Sequence, residues 1–269
     1  MAEISLSAES LPNAIRVATN MAIGTARASI QARLRNTYSK MSVKSNPFPK
    51  NLSMLRSEIN AIPLEGDLAF RERAVEPDKT ALLVVDLQKS EYDAEKTPVN
   101  PQDKYFWDRL GQTVIPNLQK LIEACRSSSV EVIYTVVECL TLDGRDRSLD
   151  YKVSGIFAAK GSRDAEVLDE IKPLDNEIVI PKTSSSLFNS TNFEYVLRNL
   201  GIEYVMVVGV VTDQCVETAI RDGCDRGFMM TIVDDAVATS SDQRQMEALI
   251  GFKGYCRVRT TDQMIAELS

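Results

Sequence analysis

The sequence predicts an α/β protein: a doubly wound, mainly parallel six-stranded sheet with helices on both faces, preceded by an N-terminal extension. Three observations carry that expectation. Short continuous apolar runs, such as residues 81–85 (ALLVV), have the composition of strands buried on both faces, as parallel sheets require. Longer segments with apolar residues at helical spacing recur between them, and such alternation means a sheet covered on both sides. With 269 residues, 44% of them hydrophobic and 26% charged, the chain can bury a sizeable core.

The first strand, residues 81–85, ends at Asp86. Residues 105–128 follow as a helix, with Trp107, Leu110, Val114, Ile115, Leu118, Leu121 and Ile122 at helical spacing and Pro116 as a kink point. Residues 130–137 are the second strand, and residues 138–174 are polar and irregular. That stretch carries the charged, turn-rich run Asp143-Gly144-Arg145-Asp146-Arg147. Strands at 177–181, 204–208, 228–233 and 255–258 then alternate with helices at 192–200, 213–226, 242–250 and 262–268.

Upstream, residues 1–50 read as a basic extension, helical or partly disordered, with residues 51–269 the folded domain and its core beginning near 79. No acid lies between Glu9 and Glu58, whereas Arg16, Arg27, Arg33, Arg35, Lys40, Lys44, Lys50 and Arg56 do. Basic, Ser- and Ala-rich and acid-poor is the composition of an organellar transit peptide, although Glu3 and Glu9 at the start count against it. The alternative is an arm packing on a partner subunit. The expected location is therefore cytoplasmic, or mitochondrial or plastid if the segment is a transit peptide.

Composition excludes several functions. A net charge of −7 argues against phosphate-held nucleic acid, and no apolar run approaches the ~20 residues that span a bilayer. The absence of histidine removes Ser–His–Asp and Cys–His hydrolase mechanisms and histidine zinc sites. The five scattered cysteines, without a CxxC pair, read as reduced thiols. Acid–base chemistry must then run on carboxylates, lysine, tyrosine or cysteine.

In open parallel sheets ligands sit beyond the carboxyl ends of the strands. Asp86 follows the first strand, Lys182 the third, and Cys215 lies in the turn after the fourth. Singly, these are a turn cap, a solvated lysine and a buried small hydrophobe. Together they can work. A helix N-terminus and a nearby ammonium favour thiolate, a carboxylate can accept the thiol proton, and backbone N–H groups of the turn 209–215 can hold an oxyanion.

ALLVVDLQ at 81–88, Pro181-Lys182-Thr183 with Ser186-Leu187-Phe188, VGVVTDQCVETA at 208–219 and Val233-Asp234-Asp235-Ala236 resemble the isochorismatase-like cysteine hydrolases. The resemblance runs from about residue 79 to the C-terminus. It implies a doubly wound α/β fold and a catalytic triad of Asp86, Lys182 and Cys215. It also implies a cis peptide at Val210–Val211 that directs the Val211 N–H, with that of Cys215, at the substrate oxygen, and a homo-oligomer, dimer or tetramer. Nicotinamidases of this family hold a metal through histidines, which this chain lacks, so neither metal nor other cofactor is expected. The vinyl-ether-hydrolysing branch generally lacks the nucleophilic cysteine, so Cys215 favours hydrolysis of a small amide, ureide or N-carbamoyl compound. The alternatives are isochorismate hydrolysis with pyruvate release and a non-catalytic scaffold. For the small-molecule substrate, Arg145 or Arg147 is a candidate carboxylate clamp and Gln88 a candidate amide partner. Tyr92 and Phe188 are candidate pocket walls.

Overall fold

The computed structural model of the chain describes residues 68–92 and 103–269. The expected extension at residues 1–50 lies outside them. Among the described residues no helix is long and apolar enough to cross a membrane.

A short helix, α1 (Leu68–Glu72), precedes the first strand, β1 (Thr80–Val85). All six residues of β1 are buried, alternating between the two sheet faces. Leu82 and Val84 enter one apolar core, and Ala81, Leu83 and Val85 the other. After α2 (Lys89–Tyr92) comes the long predicted helix, which is built in two pieces, α3 (Lys104–Arg109) and α4 (Ile115–Ser127). A π turn, Leu110–Val114, joins them, with Ile115 N–H donating to Leu110 O. Pro116 has no N–H to give and sits directly after this widened turn, where the missing donor is absorbed.

The remaining elements are β2 (Glu131–Val137), α5 (Leu149–Ser154), β3 (Ile178–Lys182), α6 (Leu187–Ser190), α7 (Phe193–Asn199) and β4 (Tyr204–Val210). Then follow α8 (Glu217–Asp225), β5 (Met229–Ala238), α9 (Asp242–Gly251), β6 (Arg257–Arg259) and α10 (Thr261–Leu268). The sheet is entirely parallel in the order β3-β2-β1-β4-β5-β6. The direction of winding reverses between β1 and β4, which opens a crevice at their carboxyl ends.

One core packs Leu110, Val114, Leu118, Leu121 and Ile122 with Met264 and Leu268 on one face. The other packs Phe193, Leu197, Val216, Ile220, Leu249 and Phe252 on the opposite face. Each such side chain, fully buried, contributes about 1.5–3 kcal/mol.

Several elements differ from the sequence reading: β6 is Arg257–Arg259 where 255–258 was expected, and α1, α2 and α6 were not expected. The irregular stretch 138–174 contains α5, and β5 runs beyond residue 233 to Ala238. Asp234 and Asp235 end the apolar run but not the strand. The register slips there, with Val207 opposite Ile232 but Gly209 opposite Val237. Side chains satisfy the bulged backbone: Arg109 donates to Val237 O (2.8 Å) and Asp234 O (2.6 Å), and Asn117 to Asp235 O (3.0 Å).

Candidate active site

The β1/β4 crevice holds a cavity of about 300 Å³, and Asp86, Tyr151 and Cys215 lie on its wall. Asp86 comes immediately after β1 in the left-handed region, at φ 54°. Aspartate tolerates that conformation better than most residues, and such outliers cluster at functional sites. Its N–H still bonds Thr135 O (3.1 Å), and its Oδ1 accepts from Thr135 Oγ1 (2.9 Å), so β2 fixes the carboxylate.

Lys182 is turned inward by strand alternation. In β3, Val179 and Pro181 face out while Ile180 and Lys182 face in. Its side chain is only 1% exposed, with Nζ 2.9 Å from Asp86 Oδ2. That ion pair is not a directed hydrogen bond, and Oδ2 keeps its lone pairs open. Nζ also donates to Ser184 O (3.0 Å), Tyr151 Oη (2.8 Å) and Cys215 Sγ (3.3 Å). Burial pulls the Lys182 ammonium down, but Asp86, Cys215 and Tyr151 outweigh it and hold it above the ordinary lysine range. The lysine is therefore a fixed cation.

Cys215 sits in a π turn, Thr212–Val216, that leads into α8. Gln245 Oε1 accepts from Thr212 Oγ1 (2.8 Å) and Asp213 Oδ1 from Thr239 Oγ1 (2.6 Å), which pins the turn to α9 and the end of β5. The Val210–Val211 peptide is cis, as the resemblance implied, and both residues line the cavity. Lys182 favours the thiolate, as expected, but it is outweighed. Burial first, then the Asp86 charge, push the Cys215 thiol up to about 11 against the pull of Lys182. The balance favours the thiol form, and a neighbouring carboxylate is placed to take its proton.

The predicted substrate contacts divide. Tyr92 does line the cavity, braced by Phe106 with ring centroids 5.2 Å apart. Gln88 lines it too, but its amide is engaged: Nε2 donates to Val137 O (3.0 Å) and Asp164 O (2.9 Å), and Oε1 accepts from Val137 N (2.6 Å). Its role is to tie β2 to the following loop. Arg145 is not at the cavity; it pairs with Asp143 (3.1 Å) over a separate shallow depression. Arg147 staples its own loop through Gly144 O (3.0 Å) and Ile156 O (2.8 Å), stacking on Phe157 with its guanidinium 5.0 Å from the ring centre. Phe188 is core, packed on Phe193 and Phe228 with centroids 5.1 and 6.0 Å away. For these three, residue type gave no information on which way the side chain faces.

Tyr151 and Arg244 are among the cavity-lining residues that the sequence reading did not identify. Ser148 ahead of Tyr151 is a helix N-cap, its Oγ accepting from Tyr151 N (3.2 Å), and with Gly155 at the other end it was a signal for α5. Arg244, on α9, pairs with Asp213 and donates from Nη1 to Ser240 Oγ (3.1 Å). Five N–H donors minus these three contacts leave one on each terminal nitrogen, at a side chain that lines the cavity. Among the described residues no three Cys, Asp or Glu side chains gather as a metal-binding set.

Residues 80–263 match the Isochorismatase domain family. A ureidoacrylate amidohydrolase, RutB, of Rhizobium rhizogenes is 32% identical over 183 residues, covering 60% of this chain and 71% of the relative. Among solved structures, a cysteine hydrolase from Pseudomonas syringae pv. phaseolicola aligns with a TM-score of 0.65 at 25% identity, covering 77% of this chain and 98% of the other. An N-carbamoylsarcosine amidase from Thermoplasma acidophilum aligns at 0.55 and 28% identity, covering 68% and 97%. With the doubly wound sheet and its crevice as described, these matches establish that the chain belongs to the isochorismatase domain family.

Proposed function

We propose that the protein is a cysteine-dependent amidohydrolase that cleaves a C–N bond of a small ureido or N-carbamoyl acid. The observation that carries this is the convergence of Asp86, Lys182 and Cys215, with Sγ 3.3 Å and Oδ2 2.9 Å from the same buried ammonium. Similarity to a ureidoacrylate amidohydrolase and to an N-carbamoylsarcosine amidase supports the substrate class.

Asp86 Oδ2 takes the Sγ proton as sulfur bonds to the substrate carbonyl carbon. Lys182 offsets the negative charge, first on sulfur and then around the tetrahedral centre. The Val211 and Cys215 N–H groups hold the oxyanion. Collapse breaks the C–N bond, and the proton on Asp86 passes to the departing ammonia or amine. Water then gives a proton to Asp86 and attacks the thioester; the C–S bond breaks and the proton returns to sulfur. A carboxylic or carbamic acid is released.

The test is product release from a panel of ureido acids, N-carbamoyl amino acids, neutral amides and isochorismate. Ammonia or amine release is expected from the acids and should fall at least about a thousandfold in Cys215→Ala. Undiminished turnover in that variant, or pyruvate release indifferent to it, would overturn the reading.

Arg244, a cation on the cavity wall with N–H groups left over from Asp213 and Ser240, is the proposed partner of the substrate carboxylate. Arg244→Ala is expected to raise KM for carboxylate substrates about 10- to 100-fold, the worth of a charge-assisted pair, with kcat little changed. Neutral amides should be processed as before, and an equal loss on both classes would remove Arg244 from recognition.

A further inference from the structure

We propose that Tyr151 is a further catalytic residue, whose hydroxyl, held by Lys182, donates a hydrogen bond to the Cys215 sulfur as the thiol loses its proton. The inference rests on the cysteine-hydrolase reading above.

An ammonium has three N–H donors and no acceptor. Lys182 Nζ faces four groups: Asp86 Oδ2, Ser184 O, Tyr151 Oη and Cys215 Sγ, at 2.9, 3.0, 2.8 and 3.3 Å. The three donors are committed one each to Ser184 O, Tyr151 Oη and Cys215 Sγ, so the lysine offers the sulfur a single N–H. A second donor is needed if charge on sulfur is to be met.

Tyr151 supplies it. Its oxygen accepts from Lys182, so its single proton must point elsewhere, and Cys215 Sγ lies 3.9 Å from Oη. An O–H whose oxygen is bound by an ammonium is polarised and donates more strongly. The contact is long in the resting state because a neutral thiol is a weak acceptor, and such bonds tighten as charge develops. No proton leaves Tyr151: the Sγ proton goes to Asp86, and the O–H bond stays intact.

The local fold seats this one side chain. α5 is six residues long, capped by Ser148 at its start and by Gly155 at φ 75° at its end. Ser148 N–H bonds Thr183 O (2.9 Å), which locks the helix to the residue beside Lys182. Leu149 and Val153 of the same helix are both 78% exposed, while Tyr151 is 1% exposed. The helix thus packs through its tyrosine.

The test is alkylation of Cys215 by iodoacetamide as a function of pH in the substrate-free enzyme, comparing wild type with Tyr151→Phe. The titratable groups bearing on the sulfur are Asp86, Lys182 and Tyr151, and only the last is altered. The alkylation profile should move to higher pH, with the rate near pH 8 down about 10-fold. kcat should fall about 10- to 100-fold with KM within about twofold. Replacing tyrosine with fluorotyrosine, a stronger donor, should move the profile the other way, and this holds even if Tyr151→Phe folds poorly. Profiles that superimpose on wild type would overturn the proposal. Alkylation needs no turnover, so that failure is distinct from failure of the hydrolase reading, which shows as normal turnover in Cys215→Ala.

Discussion

Asp86→Asn is expected to lower turnover about a thousandfold or more while making Cys215 more reactive toward iodoacetamide. The two effects have opposite signs because Asp86 acts on the sulfur in two ways. In the proposed mechanism it is the base that removes the thiol proton, which an amide cannot do. As a negative charge it helps, after burial, to push the thiol up to about 11. Removing the charge lets the thiol fall back, with the Lys182 ammonium at 3.3 Å left to stabilise the thiolate. Each unit of fall raises the thiolate fraction at neutral pH about tenfold. Turnover still collapses, because the leaving nitrogen has no proton donor. Steady-state kinetics and alkylation rates on one preparation read both. If alkylation slowed together with turnover, Asp86 would be holding the site together and not acting as its base.

Gly209→Ala is expected to destabilise the fold by about 3–5 kcal/mol, among the largest effects of a single methyl group. Gly209 has φ 105°, a region L side chains rarely adopt, and lies in β4 opposite Val85. A Cβ there would stand 2.2 Å from Val85 O and 2.7 Å from Val85 N. These are backbone atoms that cannot swing aside, so β4 would have to leave β1. The damage falls one residue from Asp86 and from the Val210–Val211 peptide, so activity should be lost before the protein melts. Thermal or urea unfolding measures the first effect and residual turnover the second. A change below about 1 kcal/mol would mean the strands shift there at little cost.

What the sequence made legible follows from what repeats along a chain. Strands β1 and β4 are buried on both faces and read as unbroken apolar runs, so their ends, and Asp86 and Cys215 with them, could be located. Lys182 was reached because it closes the short apolar run of β3, an edge strand buried on one face only. β5 was cut short because Asp234 and Asp235 interrupt the pattern, although Arg109 and Asn117 bind the backbone carbonyls of that bulge. Tyr151 and Arg244 were missed for different reasons. Tyr151 is carried by a helix of six residues in a polar stretch, and Arg244 differs from Arg145 and Arg147 only by facing the cavity. Charge patterning records how many cations a segment has. It does not record whether a guanidinium meets a ligand or, like Arg147, its own loop.

The strand order has a consequence for how the protein acquires its activity. Lys182 belongs to β3 and Cys215 follows β4, and in the sheet β2 and β1 stand between those two strands. The ammonium therefore reaches the sulfur only after four strands have paired, joining segments far apart in the chain. Contacts of such sequence separation form slowly. During refolding, secondary structure and apolar burial would recover ahead of catalysis, and turnover would time the closing of the sheet's centre.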